Sequence, residues 1–96
     1  MYRLVVTEHA ATELVESKKF YNKRVQGLGK EFEKEVISSL DSILAKPFTH
    51  PEVETEIRKA VLKRFPFVIL YTVENTVIVI LHVFHTSRNP NIWKAK

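Results

Sequence analysis

The chain of 96 residues contains no cysteine, so neither a disulfide bond nor thiolate chemistry can contribute to its stability or activity. A domain this small without disulfides suits a reducing compartment. The first apolar run is closed by Glu8 and is too short for a secretory signal. The longest apolar run, residues 77–84, is too short to span a bilayer. We therefore predict a single cytoplasmic domain over residues 1–96 that does not enter a membrane.

Glycine and aspartate are also scarce. The only glycines are Gly27 and Gly29, so the chain has neither a glycine-rich phosphate loop nor a Gly-x-Ser-x-Gly nucleophile elbow. The only aspartate is Asp41, in a segment with a helical pattern. These absences argue against a nucleotide-hydrolysing or acyl-transfer enzyme.

Acidic residues are rare in the second half of the chain. Residues 57–96 carry seven Lys/Arg and one acid, Glu74, whereas residues 1–50 carry eight Lys/Arg and seven Asp/Glu. This asymmetry favours an acidic partner for the second half, either a nucleic acid or an acidic protein segment. A basic surface that serves only solubility is the alternative.

Helical periodicity is present in two adjacent segments. It predicts helices over Glu8–Arg24, with Thr7 as the N-cap, and over Leu28–Ala45, ended by Pro47. Their apolar stripes include Val15 and Ile37, respectively. The glycine pair between the segments breaks the pattern and predicts an antiparallel helical hairpin.

Strand patterns flank this hairpin. They cover residues 2–6, the alternating residues 53–64, and two nearly continuous apolar runs, 67–73 and 76–85, with a hairpin link between the last two. The predicted order is β-α-α-β-β-β, an α+β fold with the helical hairpin packed on one face of a small, mainly antiparallel sheet. Continuous apolar strands are normally covered on both faces. Since the hairpin covers one face only, we expect the other to await a partner unless the chain dimerises.

The histidines do not predict a metal site. On a strand, His82 and His85 point to opposite faces, so they cannot share an ion. His9 and His50 lie in other elements, and no cysteine is available as a ligand. We therefore predict neither a bound metal nor another cofactor.

Basic residues near the strand ends are the remaining candidates for chemistry. Metal-free RNA cleavage needs a base for the ribose 2′-OH, cations for the phosphate and an acid for the leaving oxygen. The residues that could supply these groups are Lys59, Lys63, Arg64, His85 and Arg88.

A purely structural interpretation of these residues competes with catalysis. In that interpretation the histidine at the end of the last strand makes a local hydrogen bond, and Arg58 and Arg64 pair with Glu54 or Glu56. Trp93 is expected to pack against the domain and hold the end of the chain in place.

The order and spacing of several segments resemble toxins of the RelE/ParE family. In the second half the resemblance is carried by residues 57–67, 69–73 and 83–90 and by Trp93; in the first half it is carried by residues 7–11, Leu14, Gly27–Gly29 and Phe32. It covers essentially the whole chain. The order and spacing of these segments together are specific to the family.

The resemblance implies the toxin of a type II toxin–antitoxin module, of the kind that stabilises plasmids and inhibits growth. In such modules an acidic, partly disordered antitoxin segment wraps the toxin, in agreement with the basic second half. Residues expected to contact the antitoxin or the target are Arg58, Lys63, Arg64, Arg88 and Trp93.

The family divides by target, and the sequence favours the ParE side. RelE-like members cut mRNA in the ribosome with strand lysines and arginines and a late tyrosine, whereas ParE-like members inhibit DNA gyrase without a recognised catalytic set. Val61 and Val68 stand where basic residues would be expected, and no tyrosine follows Arg88. The long helical hairpin is also ParE-like. The alternative is a ribosome-dependent mRNA endonuclease that uses the basic residues and His85; Lys59 does match a basic RelE position.

Overall fold

Two helices and five strands make up residues 1–87, the part of the chain that the computed structural model describes. The elements are β1 (Arg3–Val6), α1 (Glu8–Arg24), α2 (Leu28–Ala45), β2 (Glu52–Glu54), β3 (Ile57–Val61), β4 (Phe67–Glu74) and β5 (Val77–His85). The strands form one sheet in the order β1-β5-β4-β3-β2. Only the β1–β5 pair is parallel among these neighbours. The predicted α+β fold is confirmed, while Arg88 and Trp93 lie outside the described residues.

Both helices begin and end where the sequence predicts. The Thr7 hydroxyl accepts a hydrogen bond from the Ala10 N–H (3.2 Å) and donates one to the Ile80 carbonyl of β5 (2.9 Å). Between the helices, Gly27 has φ +85°, in the left-handed region that glycine adopts without strain. Thr7 therefore caps α1 and also fixes its first turn against the sheet.

The prediction of a single strand over residues 53–64 is wrong. The structure has two antiparallel strands there, β2 and β3, separated by a turn at Thr55 and Glu56. Glu56 takes φ 63°, which glycine or asparagine would adopt more readily. The alternation of apolar and charged residues continues across this turn, so the sequence period does not reveal it.

The main core lies between the helices and one face of the sheet. Phe32 and Val36 of α2 are buried against Phe67 and Tyr71 of β4, and the Phe32 and Phe67 ring centroids are 4.7 Å apart. Burial of one such side chain contributes on the order of 1.5–3 kcal/mol. This cluster is therefore the principal source of attachment between the hairpin and the sheet.

The opposite face of the sheet shows the open apolar surface that the sequence predicts only in part: Val61, which lies opposite Val68, is 60 % exposed, but a neighbouring group of side chains is closed. Four of its side chains are at most 5 % exposed and form a second cluster: Ile57, Val68, Leu70 and Phe84. Val53 and Leu81 pack against this cluster. Val53 comes from the unpredicted strand β2. A register shift between β4 and β5 leaves Leu81 without a paired residue. The expectation of an open face is therefore wrong for this cluster.

Tyr71 connects the sheet to the end of α2. Its side chain is fully buried, and its hydroxyl donates a hydrogen bond to the Pro47 carbonyl at 2.7 Å. Burial raises the pKa of Tyr71 to about 12, while the Arg58 charge acts in the opposite direction. The folded protein therefore favours the protonated phenol.

We expect Tyr71→Phe to lower the free energy of unfolding by about 1 kcal/mol at neutral pH through loss of this hydrogen bond. In the parent protein, the contribution from the raised pKa is fully present below pH 10.0, where the unfolded phenol is still protonated. It is lost as the pH rises to about 12, because the unfolded chain then binds fewer protons than the folded one.

Urea denaturation at a series of pH values above neutrality measures this dependence. The Tyr71→Phe protein should show a shallower loss of stability at alkaline pH than the parent, and Tyr2→Phe serves as the matched control for removal of a phenol. Parallel pH dependences for the parent and Tyr71→Phe proteins would contradict the expectation.

Candidate functional site

The turn between β3 and β4 presents two of the predicted site residues beside α2. One Glu35 carboxylate oxygen accepts hydrogen bonds from the backbone N–H groups of Lys63 and Arg64. The Arg64 guanidinium lies 3.3 Å from the Glu31 carboxylate, and its side chain is 61 % exposed. Helix α2 therefore fixes the backbone of this turn, while the basic side chains face solvent. We call Lys63 and Arg64 the basic turn.

Arg58, by contrast, is partly buried and makes contacts that stabilise the fold. Its guanidinium donates hydrogen bonds to the carbonyls of Phe48 (3.2 Å) and His50 (2.6 Å) and lies 3.6 Å from the Glu52 carboxylate. It also lies over the Phe48 ring, 5.2 Å from the centroid. These contacts hold the loop after α2 against β3.

The predicted pairing of two arginines with Glu54 or Glu56 is therefore wrong. Arg58 pairs with Glu52, and Arg64 pairs with Glu31 of α2. The β2–β3 turn rearranges the segment that the sequence presented as one strand. The Arg64 partner comes from a helix more than 30 positions earlier, so no local pattern in the sequence indicates it.

His85 ends β5 on the face of the sheet that carries the main core. It lies opposite Phe67 in the β4–β5 register, and the two ring centroids are 5.3 Å apart. The Ser87 N–H donates a hydrogen bond to His85 Nδ1 at 3.1 Å. The local hydrogen bond expected of this histidine in the structural interpretation is confirmed.

Among the described candidates for RNA cleavage, Lys59 is set apart, whereas His85 lies at the end of β5 beside the β3–β4 turn that carries Lys63 and Arg64: the Thr86 N–H donates a hydrogen bond to the Pro66 carbonyl at 2.8 Å. Lys59 lies opposite Leu70, whereas His85 lies opposite Phe67. Those two β4 residues are an odd number of positions apart, so Lys59 and His85 project from opposite faces of the sheet. The basic turn lies beside α2. Arg88 lies outside residues 1–87.

A groove between α1 and α2 is a further candidate binding surface. Val15 and Ile37, each 53 % exposed, line it together with the buried Phe32 and Val36. Lys18 and Glu33 form an ion pair across it at 3.0 Å. The sequence pattern placed Val15 and Ile37 in the stripes that face the core. We call this surface the hairpin groove.

Potential metal ligands meet at one place within residues 1–87, where His9, Glu13 and His82 approach one another. The prediction that His82 and His85 do not share an ion agrees with their surroundings, since the His85 ring packs beside Phe67 whereas the His82 ring packs beside His9 of α1. His9 of α1 lies beside His82, with ring centroids 4.7 Å apart, although the two residues belong to distant segments. A helix-to-strand contact of this kind leaves no signal in local spacing.

No helix within residues 1–87 combines the length and the apolar character needed to cross a membrane. The whole arrangement, a helical hairpin on a five-stranded sheet, matches a solved structure described as the chromosomal ParDE TA system from P. aeruginosa. That match has a TM-score of 0.78 and 20 % sequence identity, and it covers 88 % of this chain and 96 % of the other. At this identity the likeness shows the fold.

The sequence profile of one family, the ParE toxin of the type II toxin–antitoxin system parDE, matches residues 4–90 of this chain. The match covers nearly the whole chain, so the chain belongs to the ParE toxin family. A search of curated protein sequences finds no match. The predicted resemblance to the RelE/ParE toxins, with the ParE side favoured, is thereby confirmed.

We expect Arg58→Ala to lower the free energy of unfolding by about 1–3 kcal/mol, because it leaves two carbonyls and a carboxylate without their donor. Arg58→Lys should restore little of this loss, since one ammonium cannot reproduce the guanidinium fork. Urea denaturation measures the effect. Lys63→Ala is the control, because it removes an exposed basic side chain from the turn that follows β3. Equal stability of the two alanine variants would contradict this role of Arg58.

Proposed function

We propose that this ParE-family toxin inhibits growth by binding DNA gyrase in the cytoplasm, without cleaving RNA, and that a cognate antitoxin neutralises it. The observation that carries the choice of target is the separation of Lys59 and His85 on opposite faces of the sheet. General acid–base cleavage requires its groups within hydrogen-bond reach of one phosphodiester. Residues on opposite faces do not meet that requirement.

The state of His85 supports the same choice. Its ring packs beside Phe67, and its Nδ1 accepts a hydrogen bond from Ser87. With Nδ1 accepting this hydrogen bond, the neutral ring carries its proton on Nε2, which suits it to donate a hydrogen bond and not to act as a base for a ribose hydroxyl. The exposed basic turn instead suits contact with an acidic surface, where it would contribute to the rate of association and to specificity.

A supercoiling assay with purified toxin, DNA gyrase and relaxed plasmid tests the target. We expect inhibition of supercoiling or accumulation of linear plasmid, and reversal when the antitoxin encoded beside the toxin is added. Primer extension on mRNA from a translating ribosome preparation, with the same toxin, is the parallel measurement. Gyrase activity unchanged by folded toxin would overturn the proposal. Cleaved mRNA that disappears with His85→Ala would establish the RelE-like alternative.

The hairpin groove is the surface we propose for the antitoxin. An apolar groove between two helices suits the apolar face of an amphipathic segment that folds on binding. Lys18, Lys19 and Glu33 line the groove, and because Glu33 pairs with Lys18, a net positive charge remains for an acidic segment. The sheet cluster around Leu70 is already buried, so the exposed apolar residues Val15 and Ile37 are the better supported contact.

Single charge substitutions in the hairpin groove test this assignment. We expect Val15→Asp and Ile37→Asp to weaken antitoxin binding at least tenfold, since each places a carboxylate against an apolar and acidic partner. Because both side chains are exposed, the melting temperature should change little. Val25→Asp, at a valine outside the groove that is 59 % exposed, is the matched control.

Calorimetric titration of each variant with the antitoxin gives the affinities, and the supercoiling assay checks that the toxin remains active. Equal antitoxin affinity for all three variants and the parent would contradict a role of the hairpin groove. Loss of gyrase inhibition together with loss of antitoxin binding in the groove variants would show that target and antitoxin share this surface.

A further inference from the structure

Two potential metal ligands lie one helical turn apart at the start of α1. Residues four positions apart on a helix share a face, and His9 and Glu13 have this spacing. The His9 Nε2 atom is 3.4 Å from Glu13 Oε2. The N-cap at Thr7 fixes this first turn against β5, so the pair has a defined position relative to the sheet.

The third ligand comes from β5, beyond the end of β1. The parallel β1–β5 register ends at Val6 and Ile80, and α1 follows β1 directly. The Glu13 carboxylate makes contact with this part of β5 through both oxygens. Oε1 accepts a hydrogen bond from the Val83 N–H at 2.7 Å, and Oε2 lies 3.5 Å from His82 Nδ1.

Two of the three distances between these atoms match a tetrahedral metal centre. Zinc binds imidazole nitrogen and carboxylate oxygen at about 2.0–2.2 Å, which places neighbouring ligand atoms roughly 3.3–3.5 Å apart. Glu13 Oε2 lies at 3.4 and 3.5 Å from the two histidines. One ligand atom from each of the three residues lies within 4.8 Å of the others. The side chain of His9 is 64 % exposed, so it can rotate to bring its nitrogen to the metal-binding distance from the other two ligands.

An unsatisfied polar atom points independently to a ligand at this place. His82 Nδ1 is buried and makes no hydrogen bond, although most buried polar atoms in proteins have a partner. The rings of His9 and His82 meet edge to face, with centroids 4.7 Å apart. The Val83 N–H meanwhile orients the Glu13 carboxylate, as supporting hydrogen bonds do around bound metals.

We propose that His9, Glu13 and His82 bind a divalent transition-metal ion of the zinc class. Two imidazoles and one carboxylate suit Zn²⁺, Co²⁺ and Ni²⁺, whereas Mg²⁺ and Ca²⁺ prefer sites made of oxygen ligands. Three protein ligands leave a fourth position for water. The ion joins the first turns of α1 to β5 and stabilises the folded toxin. This inference is independent of the proposed function.

Metal binding is measured on the full chain, freed of any affinity tag and of metal by chelation. We expect one equivalent of Zn²⁺ per chain by calorimetric titration, and a rise in melting temperature of about 10 °C when zinc is a hundredfold above its Kd. Co²⁺ should give the visible absorption of a tetrahedral centre, displaced by Zn²⁺. Mg²⁺ should give none of these effects.

Variants of two ligands make the test specific. His9→Gln and Glu13→Gln should each lose the zinc-dependent rise in melting temperature and the cobalt spectrum. His50→Gln and Glu16→Gln remove the same residue types elsewhere and should retain both. Each rise is measured against the same variant without metal, so altered stability does not obscure it.

Two results would overturn the proposal. One is the absence of saturable binding at one equivalent per chain. The other is a zinc-dependent rise in melting temperature that is unchanged in His9→Gln. Of the three ligands, His9 has the most exposed side chain, so its replacement is the least able to disturb folding.

Discussion

Phe32 of α2 and Phe67 of β4 meet at the centre of the protein, and the other parts of the structure are arranged around this contact. Their ring centroids are 4.7 Å apart. The Tyr21 ring of α1 packs beside both of them, and the Phe65 ring packs beside Tyr21 and Phe32. The cluster uses the inner side of the helical hairpin. As a result the outer apolar residues Val15 and Ile37 remain at the surface, where they line the hairpin groove.

The helices could be predicted to the residue because their ends depend on local chemistry. Thr7 supplies a capping oxygen, Gly27 supplies the left-handed backbone, and Pro47 follows the last turn. The division of residues 53–64 into two strands could not be predicted in this way. Glu56 adopts a positive φ without glycine or asparagine, and the alternating pattern runs through the turn.

Much less of the candidate site could be predicted, because it depends on contacts between distant segments. The sequence identified Arg58 and Arg64 as candidate binding residues, but the partners of their guanidiniums are the loop after α2 and the Glu31 carboxylate. The separation of Lys59 from His85 follows from strand register. The approach of His9 to His82 requires α1 to cross β5, which no spacing along the chain encodes.

The parallel pairing of β1 with β5 has a consequence for how the protein comes to be folded. The helical hairpin and the β3–β4–β5 meander join neighbouring segments, whereas β1 pairs Arg3 with Val77 across most of the described chain. Closing so long a loop carries a large entropic cost and slows folding. During synthesis β1 therefore remains without its neighbour until β5 has left the ribosome. The completed toxin surface thus forms only after nearly all of the described chain has been translated.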